Sequence, residues 1–319
     1  MTSRVIGNLS RNPAQEDKQA NSGRQDLQQL LDAGTILVAD GATGTLLMAA
    51  GLPNDTAPEE WNVERPEEIL KLHRSYLGAG SQIILTNTFG GNRIKLGKRG
   101  IAGRVGELNE AGARLARQAG AAGAYVAGDI GPTGEMMSPL GDLTYEAALE
   151  VFLEQATALA NGGVDAIWVE TMTDLEEARA AVTAARQTTD LPVLCSLSFG
   201  PAGRTMMGVT ARKAAEELWP IGLAAIGANC GEGLDVVEEA LREMHEALPD
   251  APLIAKPNAG LAKLIDGKTV YDVGPEDFSK RIGDFIALGA RVVGSCCGSS
   301  PAYIRAIAEA LSDADSARG

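Results

Sequence analysis

The stretch AIWVETMTDLEEARAAVTAARQTTDLPVLCSLSF, residues 166–199, decides the fold. AIWVE (166–170) and PVLCSLSF (192–199) are apolar runs without regular polar alternation, the mark of strands buried on both faces. Between them, Asp174 with Glu177 makes a capping-box pattern that opens a helix over DLEEARAAVTAAR. A strand, a helix and a second strand with short joints form a βαβ unit, whose strands pair in parallel.

The same alternation extends in both directions. Further strands are predicted at ILVAD (36–40), QIILT (82–86), YVAGD (125–129), LAAIGAN (223–229), PLIAK (252–256) and RVVGSC (291–296). Residues 66–77 put Ile69, His73, Tyr76 and Leu77 on one helix face behind the starter Pro66. Val237, Leu241, Met244 and Leu248 make another stripe, Phe278, Ile282, Phe285 and Ile286 a third, and Pro301 opens a last helix with Ile304, Ile307, Ala308 and Leu311 inward. Eight such units predict an α/β fold, a single (β/α)₈ TIM barrel. A doubly wound open sheet is the alternative, but no complete GxGxxG follows the first strand. The expected organisation is a polar N-terminal tail over residues 1–24, one barrel over 25–312 and a flexible C-terminus over 313–319.

Composition excludes several functions. A net charge of −14 over 319 residues leaves no basic stripe to neutralise phosphates, so no nucleic-acid partner is expected. No apolar run approaches the roughly 18 residues of a membrane span, and the N-terminus lacks a signal-peptide layout. Four cysteines in a chain of this length predict reduced thiols and a cytoplasmic location. Aromatic residues are only 4% of the chain, which disfavours a generous aromatic cage.

In a barrel of this kind chemistry gathers at the C-terminal strand ends. Asp40-Gly41, Thr86-Asn87, Asp129, Glu170, Asn229-Cys230 and Cys296-Cys297 all fall there. Cys230 in GANCG and Cys296-Cys297 in GSCCG offer three soft thiolates, the donor set for zinc with a fourth position open. The open position points to catalysis, because a structural zinc closes with four protein ligands. Cys195, inside VLCSLSF, reads as a packed thiol, and His73 and His245 as packed or surface histidines. Three thiolates around Zn²⁺ make a weak Lewis acid, unsuited to activating water. They suit a fourth sulfur, held as a nucleophilic thiolate that displaces an activated methyl. Asp40 and Glu170 can hold the ammonium of an amino-acid thiol, and free backbone N–H groups at Gly41 and Ala42 its carboxylate. The pairs Met136-Met137 and Met206-Met207 read as core filling, with a donor-pocket lining as the alternative.

GANCG and GSCCG, preceded by DGATGT, TNTFGGNR, GPTG and VET, resemble the homocysteine S-methyltransferase family from about Ile36 to Leu311. The resemblance implies a zinc barrel with Cys230, Cys296 and Cys297 as ligands, homocysteine as acceptor and methionine as product. It places the amino-acid-binding acids on Asp40 and Glu170 and a pocket threonine on Thr86. ILTNTFGGNR, GRTMMG and ANCGEG look most like the bacterial betaine-dependent branch; the chain also resembles the homocysteine module of cobalamin-dependent methionine synthase. Betaine or a related onium compound is thus the expected donor, with S-methylmethionine or a corrinoid protein partner as alternatives. The animal betaine enzymes box the trimethylammonium with tyrosines at positions that read Gly90 and Thr171 here. Each good ring lost removes about 1–2 kcal/mol, unless Phe89, Trp168, Tyr125 or Trp61 substitutes. A non-catalytic, thiol-sensing zinc barrel is the reading from another class, and a homo-oligomer is left open.

Overall fold

The computed structural model describes residues 24–120, 123–265 and 268–316. Most of the expected tail (1–23) and residues 317–319 of the expected C-terminus lie outside the described residues.

Eight parallel strands form the barrel: β1 (Leu37–Val38), β2 (Ile83–Leu85), β3 (Tyr125–Ile130), β4 (Ala166–Met172), β5 (Val193–Leu197), β6 (Ala225–Cys230), β7 (Leu253–Pro257) and β10 (Ala290–Val293). Their order is β1-β10-β7-β6-β5-β4-β3-β2, and a parallel bridge between Ala39 and Ile83 joins the two ends. Gln82 reinforces that seam: its backbone N–H donates to Val38 O at 2.7 Å and its Oε1 accepts from Val38 N–H at 3.0 Å. The (β/α)₈ expectation is met, strand by strand.

Strand periodicity sorts the core into two layers. Inside the barrel lie Leu37, Ala39, Ile83, Leu85, Tyr125, Ala127, Ala166, Trp168, Leu194, Ala225, Ile254 and Val292. Alanines surround a single indole, and at 0% exposure Trp168 supplies most of the bulk at that level. The helix Leu27–Asp32 closes the N-terminal end by adding Leu27 and Leu31 to this cluster. Arg24 pins the entry, pairing with Asp165 and covering the Tyr125 ring, whose hydroxyl donates to Gln25 O. The outer layer joins strands to helices through Val126, Ile167, Val169, Cys195, Ala181 and Val182, among others. Cys195 is fully buried there, and burial pushes its thiol up to about 12, as a packed thiol requires.

Several local outcomes differ from the sequence reading. Asp174 does cap its helix, accepting from the N–H of Glu176 and Glu177. Glu177, however, turns away from the box and accepts from both the N–H and the Oγ1 of Thr133, at 2.7 and 2.5 Å. It thereby holds the GPTG loop that follows β3. The stripe through Phe278 breaks into two short helices, Pro275–Lys280 and Ile282–Ala287, though Phe278, Ile282 and Phe285 remain buried. An antiparallel hairpin, β8 (Ala262–Ile265) with β9 (Lys268–Tyr271), was not foreseen. The last helix runs from Pro301 to Ser316, past the expected barrel end at 312. Of the methionine pairs, Met137 is buried, while Met136 and Met206 are exposed and do not fill the core. No helix among the described residues is long and apolar enough to cross a membrane.

His73 gives the fold a pH dependence. It is fully buried on the helix Pro66–Leu77, neither ring nitrogen has a partner, and burial lowers its pKa from 6.5 to about 4. The folded protein therefore keeps His73 neutral where the unfolded chain is already protonated. The stability tied to this residue is fully present above pH 6.5 and is lost as the pH falls towards about 4. At about 1.4 kcal/mol per pH unit it amounts to about 3 kcal/mol. His73→Met is expected to abolish that loss, measured as the difference between the two proteins' denaturation midpoints from pH 7 to pH 4.

Candidate metal centre

Cys230 ends β6, and Cys296 and Cys297 follow β10, so two strands separated only by β7 aim their ends at one point. The three sulfurs lie within 4.8 Å of one another, with Cys230 and Cys297 at 3.9 Å. Tetrahedral zinc with Zn–S bonds of ~2.3 Å sets its sulfurs roughly 3.8 Å apart, so the donor set fits the ion in both chemistry and spacing. No fourth His, Cys, Asp or Glu joins the group among the described residues. Thiol donation from Cys296 and then Cys297 lowers the Cys230 pKa, and the same sulfur contacts drive Cys297 upward.

The backbone is bent to make this convergence. Cys230 has φ 59° and Thr171, at the end of β4, has φ 61°; these are the described non-glycine residues with positive φ. Left-handed backbone at such residues persists only where neighbours enforce it. Asn229 holds Thr171, its Oδ1 accepting from Thr171 N–H at 2.9 Å and its Nδ2 donating to Thr171 Oγ1 at 2.6 Å, and Asn258 Nδ2 donates at 2.7 Å to the carbonyl of Gly231, next after Cys230. The same Oδ1 accepts from Ser196 Oγ at 2.8 Å, and that hydroxyl accepts from Trp168 Nε1 at 3.1 Å. Gly298, at φ 80°, lets the chain turn after the cysteines, and a Cβ there would sit 2.2 Å from the Tyr271 ring. The unforeseen hairpin thus packs Tyr271 directly against the metal loop.

A second loop is tied to the first. Ala42 N–H donates to Ser299 Oγ at 3.1 Å, Ser295 and Ser299 share a hydrogen bond of 2.8 Å, and Tyr76 donates to Ala42 O at 3.1 Å. The expectation of a free N–H at Ala42 is therefore not met. A Cβ on Gly41 would lie 2.7 Å from the Ser299 hydroxyl, which explains the glycine.

Beside the sulfurs lies a buried charge cluster. Lys256, at the end of β7, places Nζ 3.3 Å from Asp40 Oδ1 and 3.7 Å from Glu170 Oε2, and 4.9 Å from the centre of the Trp168 ring. Asp40 Oδ2 also accepts from Leu85 N–H at 2.8 Å. Burial raises the Asp40 pKa, against the pull of Lys256 and the Leu85 amide. Burial also pushes Glu170 up to about 7, with Lys256 opposing and Cys296 and Asp40 adding to the rise. Burial alone would lower the Lys256 pKa, but Glu170, Asp40, Cys296 and Asp129 together raise it. The Thr86 hydroxyl is bonded elsewhere than to this ion pair: its Oγ1 meets Thr88 Oγ1 at 2.6 Å and accepts from Asp129 N–H at 2.9 Å. Sequence reading missed Lys256 as a site residue. The available signal was a lysine closing the apolar run PLIAK, where a barrel strand meets its mouth.

The four rings that could have replaced a tyrosine cage are each covered by a cation of the chain itself. Lys95 lies 4.5 Å from the Phe89 centroid, Lys256 covers Trp168, Arg65 stands 5.2 Å from Trp61, and Arg24 covers Tyr125 at 4.0 Å. Tyr125 begins β3 and so belongs to the end of the barrel remote from the sulfurs.

Known proteins place this geometry. Methionine synthase of Mycobacterium tuberculosis is 34% identical over 298 residues, covering 87% of this chain and 25% of that protein. Methionine synthase of Mycobacterium leprae is 33% identical over 304 residues, again 25% of its length, so the chain spans about a quarter of these curated relatives. The crystal structure of the Escherichia coli homocysteine methyltransferase MmuM in its metallated form is similar, with a TM-score of 0.75 at 25% identity, covering 89% of this chain and 99% of that one. Its oxidized form gives a TM-score of 0.75 at 26% identity, covering 93% of this chain and 100% of that one. The family model described as homocysteine S-methyltransferase matches residues 37–311. With its three sulfurs and acidic cluster at the mouth of an eight-stranded barrel, this chain belongs to the homocysteine S-methyltransferase family.

Proposed function

We propose that this protein transfers a methyl group to the thiol of homocysteine, giving methionine, at a zinc ion held by Cys230, Cys296 and Cys297. The observation that carries this reading is the trio of sulfurs within 4.8 Å beside buried carboxylates. Bound there, zinc supplies a site at which a fourth sulfur is held as a nucleophilic thiolate near neutral pH. The chain's own residues do the rest. Carboxylates at the mouth take the acceptor's ammonium, the Gly41-Ala42 turn faces its carboxylate, and Asn229, held by Thr171, brings Nδ2 to 3.9 Å from Cys296 Sγ. The low-dielectric mouth strengthens each of these contacts.

Donor identity follows from what the site offers a cation. An onium donor such as betaine is the first reading, from the resemblance. Coverage of Phe89, Trp168, Trp61 and Tyr125 by the chain's own cations favours a second reading, in which a corrinoid protein partner presents the methyl. The test is methionine formation from homocysteine by the zinc-loaded protein with betaine, dimethylsulfoniopropionate, S-methylmethionine or methylcobalamin as donor. Turnover with the first three supports the onium reading and turnover with the last the corrinoid one; failure with all four overturns the methyltransferase proposal as stated.

Glu170→Gln is expected to raise the homocysteine KM by about tenfold, because one charge-assisted contact is lost, while zinc content stays at the wild-type level. An equal loss of zinc would make Glu170 a support of the metal site instead.

A further inference from the structure

The β8–β9 hairpin has no part in the acceptor reading, and core packing does not account for it: Leu261, Leu264 and Val270 all face solvent. It is nevertheless tied closely to the metal loop. Ala259 N–H donates to Cys297 O at 3.0 Å, Val273 N–H donates to Ala259 O at 3.1 Å, and the Tyr303 hydroxyl donates to Val273 O at 2.7 Å. Leu261 N–H donates to Asp272 Oδ1 at 2.9 Å and closes the base of the hairpin. Anchored in this way, Tyr271 lies with its ring against Gly298, next after Cys297, and its hydroxyl is hydrogen-bonded to the Cys297 sulfur.

The other two sulfurs are met in the same way by groups that are not ligands. Asn229 Nδ2 stands 3.9 Å from Cys296 Sγ, and Asn258, whose Nδ2 donates to Gly231 O, is hydrogen-bonded to Cys230. A phenol and two carboxamides thus each offer a proton to a sulfur that, as a thiolate, can only accept. This matters for the reaction proposed above. Once homocysteine joins the zinc, four thiolates share one ion, and each is by its chemistry a nucleophile for an activated methyl. Transfer is productive at only one of them. A sulfur's nucleophilicity falls with its basicity, so a hydrogen bond to a thiolate slows its alkylation.

We infer that Tyr271 is a positioning residue of the metal centre, whose hydroxyl holds the Cys297 sulfur and blunts it as a nucleophile, so that the methyl goes to the substrate's sulfur and not to the protein's own. The inference rests on the zinc and homocysteine reading and adds a residue that guards a ligand from alkylation. Unguarded, Cys297 competes for the methyl. Its electron pair forms a sulfur–carbon bond, the bond between the methyl and its leaving group breaks, and the leaving group departs with that pair. The ion is then left with a neutral thioether in place of a thiolate, a weaker ligand.

The test treats the zinc-loaded protein, without homocysteine, with methyl iodide and follows methylation of each cysteine by fragment mass analysis. Tyr271→Phe keeps the ring and lacks the hydroxyl. It is expected to raise the rate at Cys297 relative to Cys230 by about three- to tenfold, one charge-assisted hydrogen bond scaled by the part of basicity that a sulfur nucleophile expresses in its rate. In the cobalt-substituted variant the sulfur-to-metal charge-transfer absorption is expected at longer wavelength, because a sulfur relieved of a hydrogen bond gives up an electron more easily. An unchanged ratio or an unchanged spectrum overturns the inference. A ring that only covers the loop predicts wild-type behaviour in Tyr271→Phe and faster methylation in Tyr271→Leu, and that pattern overturns it too, as does equal acceleration at all three sulfurs. Zinc lost outright from Tyr271→Phe would make the hydroxyl a requirement for metal binding and would likewise sink the guarding role. If melting curves show Tyr271→Phe unfolded, Tyr271→Met, apolar and without a hydroxyl, takes its place. A wild-type protein that holds zinc yet makes no methionine with any of the four donors overturns the acceptor reading, whatever Tyr271→Phe shows.

Discussion

Replacing Cys296 with serine is expected to leave a folded barrel that no longer retains zinc and no longer methylates the acceptor thiol. The three sulfurs are the whole protein donor set among the described residues, with no fourth His, Cys, Asp or Glu near enough to compensate. A serine hydroxyl is a hard, protonated donor, whereas zinc held by thiolates depends on their softness and charge. Loss even of a group that only orients a ligand costs about 10–100-fold in metal affinity or activity, so loss of a ligand itself is expected to exceed about 100-fold in both. The fold should survive, because Cys296 lies in a loop beyond β10 and its backbone N–H to Pro257 O bond, at 2.8 Å, is independent of the side chain. Metal analysis after dialysis against a weak chelator, followed by methionine formation with added zinc, checks both halves. Near-normal zinc and rate in Cys296→Ser would show that the metal assignment is wrong.

Gly227→Ala is expected to be the most damaging small substitution in the barrel. Gly227 lies mid-strand in β6 and pairs with Ile254 of β7; a Cβ there would stand 2.1 Å from Ile254 O and 2.5 Å from Ile254 N. Both contacts are with backbone, which cannot swing aside as a side chain can. The strands must therefore separate at the level just beneath Asn229 and Lys256, which sit two residues above Gly227 and Ile254 on the same inward faces. Overpacking of a filled core costs about 1–3 kcal/mol, and broken ladder bonds carry this case to the upper end or beyond. Chemical denaturation should show a lowered midpoint. A variant as stable as wild type, with unchanged zinc and acceptor binding, would mean that the ladder tolerates more separation than the geometry allows.

Much of the fold is legible in the sequence because its signals are local. Non-alternating apolar runs such as AIWVE announce strands covered on both faces, and Asp174 or Pro66 announces where a helix begins. Eight repeats of that grammar leave few architectures. The β8–β9 hairpin escaped because AKLI and KTVY are only four residues each, with exposed Leu264 and Val270 lending no inward stripe. Glu177 satisfied a local capping pattern but is bound by Thr133, a partner remote in sequence, and local pattern cannot see that competition.

The candidate site divides along the same line. Its cysteines are legible because three thiols flanked by glycines at strand ends have few other uses. Lys256 is not, because one lysine after an apolar run is common, and only closure of the barrel brings it to Asp40, 216 positions away. Occupation of the aromatic faces is likewise a property of the folded chain. Arg24, Arg65, Lys95 and Lys256 carry no sequence mark that sets them apart from surface cations.

The Asn229 network carries a consequence for how such chains diverge. One carboxamide satisfies Thr171 through two bonds and Ser196 through a third, while standing next to Cys230 in the chain. A change at Ser196 or at Thr171 takes one side-chain bond from this carboxamide, which keeps the Thr171 backbone N–H, whereas a change at Asn229 removes all three bonds at once. Thr171, Ser196 and Asn229 are therefore expected to vary together among related chains. Lineages are expected to keep the trio or exchange it together, leaving a candidate metal ligand beside residues that are not themselves ligands.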